Sequence, residues 1–276
     1  MRHRVLPRLL TNLAGLVALV FFAFPVYWMF STAFKPTNDI LSYTPKWFPV
    51  PFTLDHFTTA IHRPNFGYYL RNSLLVTLTA VVLSLLFALL AAVAVGRFQF
   101  RGRKAYMLLV LIVQTAPFEA LLIPYFIMLR QLNLLNQLPA LILIYFIFTM
   151  PFTIWTLRGF VMAIPRELEE AAMVDGASRS QAFMRVVFPL LAPGMVATSI
   201  FAFVTAWNEF LYAFVMMRDA TKFTLPVWLS TFQTAFGTDW GGTMAASSLF
   251  TLPVVVFFLI IQRRLVSGLT AGAVKG

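Results

Sequence analysis

Two groups of residues in this sequence could do chemistry or make specific contacts. The first is a run in which Glu167, Glu169 and Glu170 follow Pro165 and lead into Ala171, Ala172, Asp175 and Gly176. Carboxylates at the start of a short helix complement the positive end of its dipole. The small Ala residues beside Glu170 leave room for a protein surface to come close. The second group is Glu119, Asn208 and Glu209, polar residues inside long apolar stretches. A charge held in a bilayer is costly and faces a cavity or a partner. These three are therefore candidates for lining a solute path or touching an outside partner; a hydrogen bond between packed helices would explain them equally well.

Catalysis finds little support. There is no Cys, so thiolate metal sites, disulfides and cysteine nucleophiles are excluded. His3, His56 and His62 do not group into a metal site, and solvated surface roles are expected for them. No loop pairs a His with an acid in a catalytic arrangement. The chain has no Gly-Lys dipeptide, hence no phosphate-binding loop of the G-x-x-x-x-G-K-[ST] kind. We expect no enzyme activity, cofactor or metal in this chain.

The elements that carry these residues follow from composition. Of 276 residues 60% are hydrophobic and only 11% charged, where a soluble domain carries about 25% charged residues. Six apolar stretches are long enough for a bilayer, which takes roughly 20 residues of helix. They cover about 10–33, 72–96, 105–129, 138–162, 187–214 and 243–262. They are apolar on every face, which excludes the alternating pattern of a β-barrel. The expected fold class is an all-α integral membrane protein with six transmembrane helices. The first stretch is longer than a signal-peptide core and lacks a small-residue cleavage site, so it counts as a helix of the protein.

The net charge of +11 does not point to nucleic acid, because the basic residues cluster between apolar runs. With the amino end inside, the inner loops hold Arg2, Arg4, Arg8, Arg97, Arg101, Arg103, Lys104, Arg158, Arg166, Arg179, Arg185, Arg263, Arg264 and Lys275. Only Lys35, Lys46, Arg63, Arg71, Arg130, Arg218 and Lys222 fall outside. The positive-inside rule then places both termini in the cytoplasm. Arg158 can snorkel to the headgroups and is given no other role. In the first outer loop, 53–62 predicts a short helix capped by Thr53.

The inner segment 163–186 predicts two short helices. Pro165 suits the first helical position of one, and Gly176 its left-handed stop. Ser178 and Gln181 have the spacing of a capping box for the second. A side chain at Gly176 is expected to strain the turn, and a bulky one to push the helices apart. The segment 265–276 is too polar and glycine-rich to continue the sixth helix, so it is expected to form a cytoplasmic tail.

Glu170, Ala171 and Ala172, then Gly176, then Val186, Val187, Phe188 and Pro189 resemble the conserved cytoplasmic loop of bacterial ABC importer permeases. The family pattern ends in Ile-x-Leu-Pro, from which Val186 and Phe188 are apolar departures. The run from Glu170 to Ala177 is similar to that of carbohydrate importers. The end from Gln262 to Gly276 is similar to the tail of the maltose-type second permease, and Trp207, Asn208, Glu209 and Phe210 resemble sugar permeases. The resemblance covers nearly the whole chain. It implies a single permease domain over 1–276 with the type I importer fold, in the bacterial cytoplasmic membrane. It also implies a second homologous permease, two ATPase subunits and an extracytoplasmic sugar-binding protein as partners, with ATP and Mg²⁺ on the ATPase. By resemblance, Glu170, Ala171, Ala172, Asp175, Gly176 and Pro189 couple to the ATPase, and the tail inserts between the ATPases. The resemblance, together with spans that hold no basic cluster for an anion, implies a neutral mono- or oligosaccharide as the solute. The alternative, an ion-coupled secondary transporter, commonly shows internal repeats, and none is present.

Overall fold

The computed structural model describes residues 5–234 and 237–273, with only the helical backbone at 5–9 and 263–273. The chain opens with α1 (Val5–Ala33), α2 (Thr37–Ile40), α3 (Asp55–Ile61) and α4 (Phe66–Arg97). Next come α5 (Arg103–Thr115), a 3₁₀ turn (Phe118–Leu121), α6 (Leu122–Gln131) and α7 (Leu138–Ala163). The segment after α7 forms α8 (Glu167–Val174), α9 (Arg179–Ala182), a π turn (Phe183–Val187) and α10 (Phe188–Leu190). They lead into α11 (Ala192–Trp207), α12 (Leu211–Met216), a 3₁₀ turn (Ala220–Lys222) and α13 (Leu225–Ser230). A small antiparallel pair, β1 (Gln233–Thr234) and β2 (Gly237–Thr238), precedes α14 (Trp240–Ala273).

Four helices are long and apolar enough to cross a bilayer, within α1, α4, α7 and α14, and they match four of the expected stretches. The other two stretches are bent. The expected span 105–129 is α5 followed by Phe118–Gln131, turned by 91°. Ala116 is extended (ψ 132°) because the ring of Pro117 disfavours the helical region for the residue before it. The expected span 187–214 falls on two helices, Arg179–Leu190 and Ala192–Trp207, bent by 63°, and it breaks again between Trp207 and Leu211. The last helix also differs from expectation: α14 continues as helical backbone to Ala273. No proline follows Pro253, and Gly268 and Gly272 each weaken a helix by about 1 kcal/mol without blocking its hydrogen bonds. Lys275 lies outside the described residues.

Two units make up the chain. One comprises Met1–Phe66 and Trp228–Leu252. Its α1 presents Leu13, Leu16, Val20 and Phe21 to the surroundings, a face suited to lipid. The loop after α1 folds back on it: Tyr27 and Ser31 hydroxyls donate to Trp47 O at 2.5 and 3.0 Å, and Trp47 meets the Trp28 ring edge-on. Lys35 is buried with its ammonium 4.0 Å from the Trp28 centroid. Desolvation pushes its pKa down, with Asp39 opposing. Thr53 Oγ1 accepts from Asp55 N, but the N-cap residue of α3 is Leu54, one position later than expected, and no side chain caps the helix. His56, expected on the surface, is buried, with Nε2 3.0 Å from Lys35 O; its ring lies where a side chain at 241 would go, so Gly241 makes the space. His62 is exposed with Nδ1 2.7 Å from Thr58 O, and His3 lies outside the described residues. Arg63 joins distant parts of this unit by donating to Thr231 and covering the Phe232 ring at 3.6 Å.

The other unit, Gly67–Val227 and Pro253–Gly276, holds both groups of candidate residues. On α4 the small residues Ala80, Ser84, Ala88 and Ala92 recur every four positions and are buried. Such a stripe lets membrane helices approach closely. Ser84 Oγ meets Thr149 Oγ1 of α7 at 2.5 Å and donates to Phe146 O. Against α11, α7 stacks Phe152 on Phe201 at 3.7 Å, and Gly194 admits the Phe160 ring.

Candidate functional site

The helix pair after α7 is built from local backbone rules. Ile164 is extended before Pro165 and ends α7. Arg166 is the N-cap residue of α8, its carbonyl accepting from Glu169 N and Glu170 N at 2.9 and 3.1 Å. Pro165 thus sits just before the cap and not at the first helical position; there too its missing N–H leaves no donor unsatisfied. Glu167, Glu169 and Glu170 occupy the first turn. The far end is a Schellman motif: Ala177 N donates to Ala172 O at 3.0 Å and Gly176 N to Met173 O at 3.1 Å, past the C-cap residue Asp175. Gly176 has φ +89°, and nothing lies within 4 Å of a Cβ added there. The requirement seen here is conformational, since a Cβ would meet open space. Ser178 and Gln181 form both bonds of the capping box of α9, at 3.3 and 2.8 Å.

One residue pins this pair to the rest of the unit. Arg97, the last residue of α4, places Nε 2.8 Å from Glu169 Oε1 and donates from Nη1 to Ile164 O at 3.0 Å. In return Arg166 Nη2 donates to Arg97 O at 3.1 Å. The Arg97 side chain is only 9% exposed. A pocket of about 550 Å³ opens beside it, lined by Arg166, Glu170, Arg179 and Met184 among others. In the sequence Arg97 counted only toward the charge balance; a lone Arg closing an apolar run was the one available sign of its role. The outward side of α8 carries Glu170, Ala171, Leu168 and Val174, all exposed, Val174 at 87%. Ala172 is half-buried, and Pro189 is exposed in α10.

The second group is only partly brought together. Glu209 sits in the break before α12 and caps it: Oε1 accepts from Tyr212 N at 2.8 Å, and Oε2 from Ala213 N at 3.3 Å. Tyr145 of α7 donates its hydroxyl to Oε2 at 2.5 Å. Asn208 is exposed, with Nδ2 donating to Val204 O of its own helix at 2.7 Å. Glu119 is exposed in the 3₁₀ turn after Pro117. Tyr212 ties the two breaks to each other. Its hydroxyl donates to Phe118 O at 2.7 Å, and its ring lies 4.3 Å from that of Phe118, which stacks on Phe148 at 3.8 Å. Beside this cluster is a cavity of about 230 Å³ with Phe118, Tyr125, Phe148 and Phe201 in its walls and Gln114 as a polar group. The aromatic residues are scattered through apolar runs in the sequence, where nothing separates them from ordinary lipid-facing rings.

The family model of binding-protein-dependent transport system inner membrane components matches residues 84–271. The chain belongs to this family. The matched region runs from within α4 through the helix pair and both broken spans into α14. Over 276 residues, all of both chains, it is 50% identical to the diacetylchitobiose uptake system permease protein DasC of Streptomyces coelicolor. It is 36% identical to the trehalose/maltose transport system permease protein MalG of Thermococcus litoralis, again across all of both chains. A bacterial ABC transporter involved in the import of the acidic polysaccharide alginate contains a chain of the same fold. The TM-score is 0.78 at 21% identity, with 94% of this chain and 96% of that one covered. The resemblance to carbohydrate importer permeases read from residues 170–189 and 262–276 is thus borne out, and the fold is that of an ABC importer permease.

Proposed function

We propose that this chain is one permease subunit of an ATP-driven sugar importer in a bacterial cytoplasmic membrane, with both termini in the cytoplasm. In this reading the segment 163–186 carries motion from an ATPase to the membrane helices. The observation that supports it most is the capped helix pair with an exposed apolar and acidic face, locked by Arg97 to the end of α4. Two caps and an ion pair let such an element move as one body, so a push on α8 reaches α4 and α7.

The site residues divide the work. Ala171 and Val174 offer a surface for close docking, and Glu170 a charge for a basic residue on the ATPase. Ala172, Asp175 and Gly176 shape the end of α8. Pro189 sits in α10, where motion of the pair enters α11. ATP and Mg²⁺ belong to the two ATPase subunits. A second homologous permease completes the path, and an extracytoplasmic binding protein delivers the sugar. Glu119 and Asn208 are exposed and available to the path or to that protein. Glu209 works chiefly as a cap. The aromatic cavity beside Phe118 suits the apolar face of a sugar ring, and the name of the relative 50% identical to this chain makes a neutral disaccharide the first candidate. Membership of this family weighs against the ion-coupled alternative.

Reconstitution with the partner subunits and binding protein tests this reading. ATP hydrolysis should rise with a neutral sugar. A rise with amino acids or phosphate and with no sugar would overturn it.

A further inference from the structure

Three cations converge on one pocket at the start of α5. The pocket is about 440 Å³ and is lined by Arg103, Lys104 and Arg158, with Met107, Leu108, Leu111 and Trp155 as its apolar part. No acid lines it. Among the described residues none of the three cations has a carboxylate partner. Arg158 Nε is buried with no hydrogen-bond partner, and its guanidinium lies 5.9 Å from the Trp155 ring centroid. α5 also begins with no side-chain cap and no acid in its first turn. Arg103 and Lys104 therefore stand at the positive end of a helix dipole, where cations are unfavourable. Like charges that share a pocket disfavour one another, and these three line one pocket. An anion in the pocket removes that cost.

We propose that the pocket holds the phosphate of an anionic phospholipid, with an acyl chain lying along α5. The apolar wall supports a lipid over a free anion. Leu108 and Leu111 are exposed and lead away from the cations along a helix that belongs to the membrane region. Basic pockets between membrane helices take anionic headgroups in this way. The proposal rests on the membrane placement of α5 and α7 and is independent of the coupling role of 163–186.

Native mass spectrometry of the full chain, purified with its accompanying subunits from vesicles of phosphatidylglycerol and phosphatidylcholine, reads the lipid that is retained. The wild type should keep phosphatidylglycerol and lose phosphatidylcholine. Arg101 is exposed two residues before the pocket and does not line it, so Arg101→Gln should retain lipid as the wild type does. Arg103→Gln and Arg158→Gln should each weaken retention about fivefold, and their combination should abolish it. The charge-conserving Arg103→Lys should keep most of it. Millimolar inorganic phosphate should not displace the lipid. The proposal is overturned if the wild type keeps neither lipid or both equally, if Arg101→Gln loses as much as the pocket variants, or if inorganic phosphate empties the site.

Discussion

The helix pair at 163–186 and the paired breaks at Pro117 and Glu209 both interrupt helices, yet they are secured by different means. The pair uses short-range backbone motifs, a capping box and a Schellman turn, plus the reciprocal contacts of Arg97 and Arg166. The breaks add side chains from other helices to one local cap. Tyr212 satisfies Phe118 O, Glu209 satisfies the amides of Tyr212 and Ala213, and Tyr145 satisfies Glu209. Water can complete a helix end at the membrane surface. Inside the apolar region it is absent, and each open backbone group costs several kcal/mol, so the protein must supply every partner. Breaks within the membrane are therefore expensive to disturb, whereas the pair can be loosened in small steps.

The largest effect should follow loss of Glu209. Glu209→Ala removes the acceptor for two amides and one hydroxyl, and should destabilise the protein by about 3 kcal/mol, read as a lower unfolding temperature in detergent. Tyr145→Phe should cost about half as much. If Glu209→Ala unfolds like the wild type, the breaks are no better secured than a surface loop.

Arg97→Ala comes next, at about 2 kcal/mol, because Ile164 O loses its donor and Glu169 its partner. Transport per ATP hydrolysed should fall further than stability does. Glu169→Ala should do much the same, and the double variant should cost less than the sum. Additive losses would mean that the ion pair links nothing.

Smaller effects separate conformation from contact in the pair. Gly176→Ala should cost about 1–2 kcal/mol from its positive φ alone, since its surroundings are empty, and Gly176→Asn should cost less because Asn visits that region more readily. Ser178→Ala, which removes one bond of the capping box, should cost about 1 kcal/mol. Equal losses for Ala and Asn at position 176 would contradict the backbone explanation.

The same contrast explains what could be read from the residues. The caps of the helix pair were legible because each is a local rule: Gly176 and Ser178 with Gln181 lie within a few positions of the ends they close. The start of α8 lies a little later than Pro165 suggests, since a proline fits either side of the cap. The four unbroken spans were legible from apolar length. The breaks were not, because prolines are common in membrane helices and only tertiary partners decide which one turns the chain. Pro117 turns the chain by a right angle while Pro151 stays inside α7. Glu209 was found as a polar residue out of place, but its work as a cap depends on Tyr145, 64 positions away. His56 reads as a surface residue for the same kind of reason, since Lys35 and Gly241 surround it from far along the chain.

The proposed coupling role of 163–186 meets its most direct test at Val174, the most exposed large apolar residue of α8. The chain has no native Cys, so Val174→Cys gives it a single reactive thiol. In the assembled transporter, with single cysteines placed along the surface groove of the ATPase, this thiol should form a disulfide at one or two groove positions. The yield should change between the nucleotide-free and ATP-bound states. No crosslink at any groove position, in a complex that still transports, would contradict the claim that this helix pair carries the ATPase's motion into the membrane.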